Sequence, residues 1–214
     1  MTRPRALISD FGGVMTAPLL AAFGEANERI GISGEQLGQA MVQFSAQVAE
    51  PPLFALERGE LSEREFLTGL AEALTAVLRR PIELDGYGRM LIDALHPNEP
   101  LLAYYRSLHE RGIRLAILTN NVREWQPVWR ARLGADDALF ELIVDSGFEG
   151  VRKPEPEIYA LTLERLGLGG AECVFVDDLE INLPPARDAG MATVRFRDTE
   201  QAIGELDALF DGGR

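Results

Sequence analysis

The sequence has one cysteine, Cys173, and two histidines, His96 and His109, in 214 residues. A single thiol closes no disulfide within the chain, which fits a reducing compartment. Cys173 has no histidine near it in sequence and reads as a small hydrophobe. The two histidines lie apart on surface-type segments and read as solvated. No segment approaches the continuous apolar run that a membrane span requires. The opening "MTRPRALISDF" has basic residues before an apolar stretch, but the stretch is too short for a signal peptide and contains an aspartate. The expected location is the cytoplasm. Positive charge is scarce: 21 Lys and Arg face 34 Asp and Glu, a net charge of −13. That balance argues against nucleic acid and anionic membrane as partners, though it says little about small anionic substrates. No nucleophile elbow or glycine-rich dinucleotide fingerprint appears, which removes serine-hydrolase and dinucleotide-binding readings.

What is present is alternation. "ALISDF", "RLAILTN", "LIVDSG", "CVFVDD" and "ATVRF" read as buried strands. Helical patterns separate the later ones. "EPLLAYYRSLHERG" carries Asn98 as N-cap, Pro100 in its first turn and Gly112 at its end. Strands alternating with helices imply α/β architecture, a Rossmann-like open parallel sheet sandwiched by helices. The first interval is different: between Thr16 and about Leu95 only helices are expected. "PLLAAFGEANERIG" sets Leu19, Leu20, Phe23, Ala26 and Ile30 on one face. "SGEQLGQAMVQFSAQV" and "SEREFLTGLAEALTAVL" open with capping-box pairs, Ser33 with Gln36 and Ser62 with Glu65. This stretch reads as a helical insertion in a single larger core.

Polar residues gather at the strand ends, where open parallel sheets bind ligands. The first strand ends in Asp10, followed by Gly12 and Gly13; the second ends in Thr119, Asn120 and Asn121. Arg152 and Lys153 follow the third, and Asp177 and Asp178 end the fourth. Any one of these is equally a turn or cap residue. All four ends together are harder to explain that way. Carboxylates with a backbone carbonyl make a hard oxygen site that suits Mg²⁺. A lysine, a hydroxyl and backbone N–H groups suit phosphoryl oxygens. With metal neutralising charge, Asp10 is placed to attack phosphorus and form an aspartyl-phosphate. Gly12 and Gly13 let backbone approach both groups.

In order and spacing, "DFGGV", "LTNN", "RKPEPEIY" and "FVDDLEINLPPARDAGM" resemble the four motifs of the haloacid dehalogenase (HAD) superfamily. The last phrase is similar to that of the N-terminal phosphatase domains of soluble epoxide hydrolases and their bacterial relatives. The resemblance implies a core of residues 1–15 and 96–214 and a helical C1-type cap of residues 16–95. It implies a Mg²⁺-dependent phosphatase of a small phosphorylated metabolite, such as a sugar phosphate, working as monomer or homodimer. By position, Asp10 would be nucleophile and metal ligand, with the Gly12 carbonyl and Asp178 as further ligands. Asp177 would act through water or orient Lys153. Thr119, Lys153, the Asn120 amide and the turn at Gly12 and Gly13 would hold the phosphoryl group, and Asn182 would steady the loop. The chain departs from the pattern at Gly12, where most such phosphatases carry a second, acid–base aspartate. Three outcomes follow: a substrate whose leaving group needs little protonation, an acid–base group supplied by cap or substrate, or a catalytically impaired phosphate-binding or protein-interaction module. Arg58, in "LERGELS", reads either as a cap residue facing substrate or as an exposed turn arginine. Trp125 and Trp129, four residues apart, read as packing residues, with substrate stacking the lesser alternative.

Overall fold

A computed structural model describes residues 3–46 and 50–212; the last residues of the helix expected to run through Val48 lie outside them. In chain order the elements are β1 (Ala6–Ser9), α1 (Leu19–Ile30), α2 (Gly34–Ser45), α3 (Pro52–Glu57), α4 (Glu63–Leu78), α5 (Tyr87–Asp93), α6 (Glu99–Glu110) and β2 (Arg114–Thr119). There follow α7 (Gln126–Leu133), β3 (Phe140–Asp145), α8 (Ser146–Glu149), α9 (Pro156–Leu166), β4 (Cys173–Asp177), α10 (Leu183–Asp188), β5 (Ala192–Arg195) and α11 (Thr199–Asp211).

The strands form one parallel sheet in the order β3-β2-β1-β4-β5. Strand alternation divides the apolar residues between its faces. Leu7, Leu115, Ile117, Val174 and Val176 pack under α6, α7 and α11 through Leu101, Tyr105, Trp129, Leu206 and Phe210. Ala6, Ile8, Ala116, Leu118, Cys173 and Phe175 pack under α9 and α10 through Ile158, Tyr159, Leu183 and Ala186. Burial pushes the Cys173 thiol up to about 11, so it is inert near neutral pH. The chain steps outward from β1 to β2 and β3, then returns to β4 on the other side of β1. That reversal opens a crevice beyond the ends of β1 and β4, where Asp10 and Asp177 stand.

Helices α1 to α5 surround a third cluster that includes Ala26, Leu56, Phe66, Leu70, Leu74 and Tyr87. Buried Asn27 accepts the Tyr87 hydroxyl at 2.7 Å. Both expected capping boxes form, Ser33 with Gln36 and Ser62 with Glu65. Ser62→Ala is expected to cost about 1 kcal/mol, read as a lower urea midpoint at unchanged m value. Leu20 departs from its expected place: it is 84% exposed, while Ala22 and Asn27 are buried. One residue turns a helix by about 100°, so Leu20 rotates off the stripe carrying Leu19, Phe23 and Ala26. The segments entering and leaving this layer run side by side. Thr16 and Pro97 form an antiparallel bridge, Ala17 N–H donates to His96 O, and Asn98 N–H donates to Met15 O.

Candidate active site

Asp10 is held level with the end of β4 by its own N–H, which donates to Val176 O at 2.9 Å. Carboxylate oxygens of Asp10, Asp177 and Asp178 lie within 4.8 Å of one another. Lys153 Nζ is 2.8 Å from Asp10 Oδ1 and 2.6 Å from Asp177 Oδ2. One buried ammonium therefore answers three carboxylates, and the set keeps an excess of negative charge. Burial, then the neighbouring carboxylates, outweigh Lys153 and lift Asp10 to about 7; burial and Asp177 also raise Asp178. Burial alone would lower Lys153, but Asp10 and Asp177 together push its pKa up, so it stays charged.

The three acids have different work. Asp177 is spent on both oxygens: Oδ2 on Lys153, and Oδ1 on Leu179 N–H and Asn182 Nδ2, each at 2.9 Å. It thus orients Lys153, one of the two roles expected of it. Tyr159 donates to Asn182 O at 2.7 Å and steadies the same loop. Asp178 Oδ1 is buried and has no hydrogen-bond partner among the described residues. A buried anionic oxygen without a donor is costly. Together with Asp10 it is a hard-oxygen pair open to a cation, and the donor chemistry fits Mg²⁺.

The two glycines differ. Gly13 has φ of +85°, and a Cβ there would lie 2.7 Å from Asp178 Oδ2, so glycine is required on both counts. Its N–H, expected to face a phosphoryl group, donates instead to Thr16 Oγ1 at 3.1 Å, because the Thr16 side chain turns back into the loop. Gly12 carries no such φ; a Cβ there would meet only the Leu19 side chain, at 3.2 Å from Cδ2.

Thr119 is buried, and among the described residues its hydroxyl makes only a long 3.5 Å contact, to Asn120 O. The Asn120 side chain is less free than expected. Its Oδ1 accepts Lys153 N–H at 2.8 Å and its Nδ2 donates to Lys153 O at 2.9 Å. The side-chain amide therefore clamps the lysine backbone and is not a spare phosphoryl donor.

Sequence reasoning missed Glu57. It lies half-buried at the end of α3, 2.5 Å from Arg152 Nε and 3.4 Å from Asn120 Nδ2. Burial raises its pKa against the pull of Arg152. Arg152 also lies 4.0 Å over the Phe54 ring. Arg58 binds Glu50, Glu60 and Glu155, so it ties the helical layer to the 152–155 loop and does not face open solvent. The phrase "LERGE" was the available signal, but nothing in it names partners a hundred residues away. Trp129 is buried 4.7 Å from Phe11 as packing, Trp125 is half-buried, and both histidines are exposed. A groove of about 650 Å³ between α4, α5 and Trp125 contains none of the clustered carboxylates.

Asp145, at the end of β3, is a separate buried acid pushed up to about 6 by burial, against bonds from Gly147 and Gln126. The folded state then holds a proton that the unfolded chain releases nearer 4. Stability from this group is fullest below pH 4, falls as pH rises to about 6, and is level above. Asp145→Asn should remove this slope. Urea unfolding of the two proteins should show the wild type losing, relative to the variant, on the order of 3 kcal/mol between pH 4 and 7. A gap that does not move with pH would contradict the burial account.

Fold and site together define a hydrolase of the Rossmann-like α/β class. The family described as haloacid dehalogenase-like hydrolase matches residues 4–190, and the chain belongs to it. The chain is 29% identical over 209 residues to acyl-CoA dehydrogenase family member 10 of Mus musculus, covering 96% of this chain and 19% of that protein. It is 30% identical over 220 residues to bifunctional epoxide hydrolase 2 of Sus scrofa, covering 96% of this chain and 38% of that protein. The chain thus spans about two fifths or less of the length of these relatives. Glyceraldehyde 3-phosphate phosphatase of Pyrococcus abyssi is 37% identical over 93 residues, covering 42% of this chain and 38% of that one. Among solved structures, a HAD family enzyme of Bacteroides thetaiotaomicron, in complex with magnesium and inorganic phosphate, is 22% identical with a TM-score of 0.67. The match covers 90% of this chain and 93% of that one and supports the fold alone. Among the described residues no helix is long and apolar enough to cross a membrane.

Proposed function

We propose that this chain is a cytoplasmic, Mg²⁺-dependent phosphatase that hydrolyses a small phosphorylated molecule through Asp10. In this reading residues 16–95 serve as a cap over the core of residues 1–15 and 96–214. One observation carries the proposal: three carboxylates within 4.8 Å at the switch point of the sheet, one with a free buried oxygen and the other two bridged by a buried lysine. The phosphatase relative from P. abyssi supports the same substrate class.

Asp10, Asp178 and the Gly12 carbonyl would hold Mg²⁺, which when bound neutralises phosphoryl charge. Asp10 presents a carboxylate oxygen to phosphorus, and its burial strips the water that would otherwise blunt it. Lys153 and the Thr119 hydroxyl are donors for the phosphoryl oxygens. Asp177 and Asn120 fix Lys153 from its two ends, side chain and backbone.

The test is phosphate release from 4-nitrophenyl phosphate. Activity with Mg²⁺ that is lost with EDTA and returns on adding Mg²⁺ is the expected result. Saturating Mg²⁺ should also raise the melting temperature, since a ligand at about 100 times its Kd stabilises by about 2.7 kcal/mol. Metal-independent turnover would overturn the proposed metal site.

A further inference from the structure

We infer that the alcohol leaving the phosphoryl group is acidic and apolar, an aryl or enol alcohol and not a sugar hydroxyl. This rests on the phosphatase reading and narrows its substrate class.

The observation is at Gly12. Gly13 is glycine because its backbone and Asp178 demand it; at Gly12 neither condition holds. A side chain starting from residue 12 would project onto Leu19, whose Cδ2, Cδ1 and Cγ lie 3.2, 3.4 and 3.4 Å from the Cβ position. The space beside the nucleophile that a side chain from this turn would enter is therefore faced by an isobutyl group. Leu19 packs against the main core, which holds it there. The acids around it are otherwise engaged. Asp177 is bound at both oxygens, Glu57 is paired with Arg152, and Asp178 belongs to the cation pair. Leu179 and Ile181, directly after Asp178, are 52% and 65% exposed and add apolar surface at the same sheet edge.

This environment sets the chemistry. In the first step an Asp10 oxygen bonds to phosphorus, the bond from phosphorus to the ester oxygen breaks, and its electron pair leaves on that oxygen. Gly12 offers no side-chain donor to it, so it departs as an anion and takes its proton from solvent. In the second step water bonds to phosphorus, the Asp10–phosphorus bond breaks, and the water proton passes to solvent as inorganic phosphate forms. The first step slows as the leaving oxygen becomes more basic. General acid help is worth about 10²–10⁴ in rate, and this site forgoes it. Aryl and enol oxygens spread their charge and need little help, and their carbon frames suit a hydrocarbon wall where a sugar's hydroxyls would lose water without gaining partners.

The experiment measures kcat/KM of the Mg²⁺-loaded chain on 4-nitrophenyl, phenyl, hexyl and hexose 6-phosphates. Values should fall with leaving-group basicity, with alkyl esters at least about 10²-fold below the nitrophenyl ester. Gly12→Asp, whose Cβ would need Leu19 to give by a few tenths of an ångström, should raise the alkyl esters relative to the nitrophenyl ester by about 10-fold or more. Leu19→Asn should raise KM for the phenyl ester more than for the hexose ester. Hexose phosphate turned over as well as nitrophenyl phosphate by the wild type would overturn the inference and leave the phosphatase reading standing. No turnover of any ester would overturn both. The wild-type series decides the matter even if a variant fails to fold.

Discussion

Asp10→Asn is expected to cut phosphate release by roughly 10⁴-fold or more, the scale on which enzymes lose rate when a nucleophile is removed. The variant should stay folded. Asparagine keeps the volume and an oxygen for Lys153 Nζ, now 2.8 Å from Asp10 Oδ1. It also removes a carboxylate that burial already lifts to about 7. Circular dichroism alongside the phosphate assay separates the two effects. Turnover near wild type in a folded variant would reject Asp10 as nucleophile. Mg²⁺ and phosphate still binding to a wild type that turns over nothing would point to the impaired, phosphate-binding module.

Lys153→Met should produce the larger loss of stability. The lysine is 2% exposed and bridges two acids, one of them wholly buried. Removing one partner of a buried ion pair typically costs about 3–5 kcal/mol, because the charge left behind has lost both its water and its partner. For a chain of this size that is a fall of roughly 10 °C in melting temperature. The measurement belongs in EDTA. Adding Mg²⁺ should recover part of the loss, since a cation then answers the same carboxylates. An unchanged melting temperature in EDTA would mean that Asp10 and Asp177 shed their charge at no cost, contrary to the geometry described.

The strands were legible because their residues must satisfy two covered faces at once. Leu7 beside Ile8, or Val174 beside Phe175, leaves no room for a polar residue until the strand ends. The acids and amides that close the runs therefore mark the sheet edge, and this is why Asp10, Asn120, Asp177 and Asp178 stood out, with Thr119 beside them. Capping boxes were readable for a similar reason, since Ser62 and Glu65 need only each other. What stayed hidden depends on partners distant in sequence. Asn120 looks like a free amide until the backbone of Lys153 is brought against it. Glu57 and Arg58 look like a polar turn until Arg152 and Glu155 arrive. Gly12 and Gly13 are identical letters, and only φ and the place of Asp178 tell them apart. Leu20 went astray because a helix start has too few residues to fix the stripe's centre.

The paired segments at Thr16 and Pro97 have a geometric result of their own. They join the helical layer to the sheet at one corner, with Asn98 Nδ2 also bound to Val14 O at 3.1 Å. Any swing pivoting on that corner has short leverage at Leu19, three residues along, and long leverage at α2 and α4. The hydrocarbon beside the nucleophile is therefore tied to the sheet more closely than the far helices are.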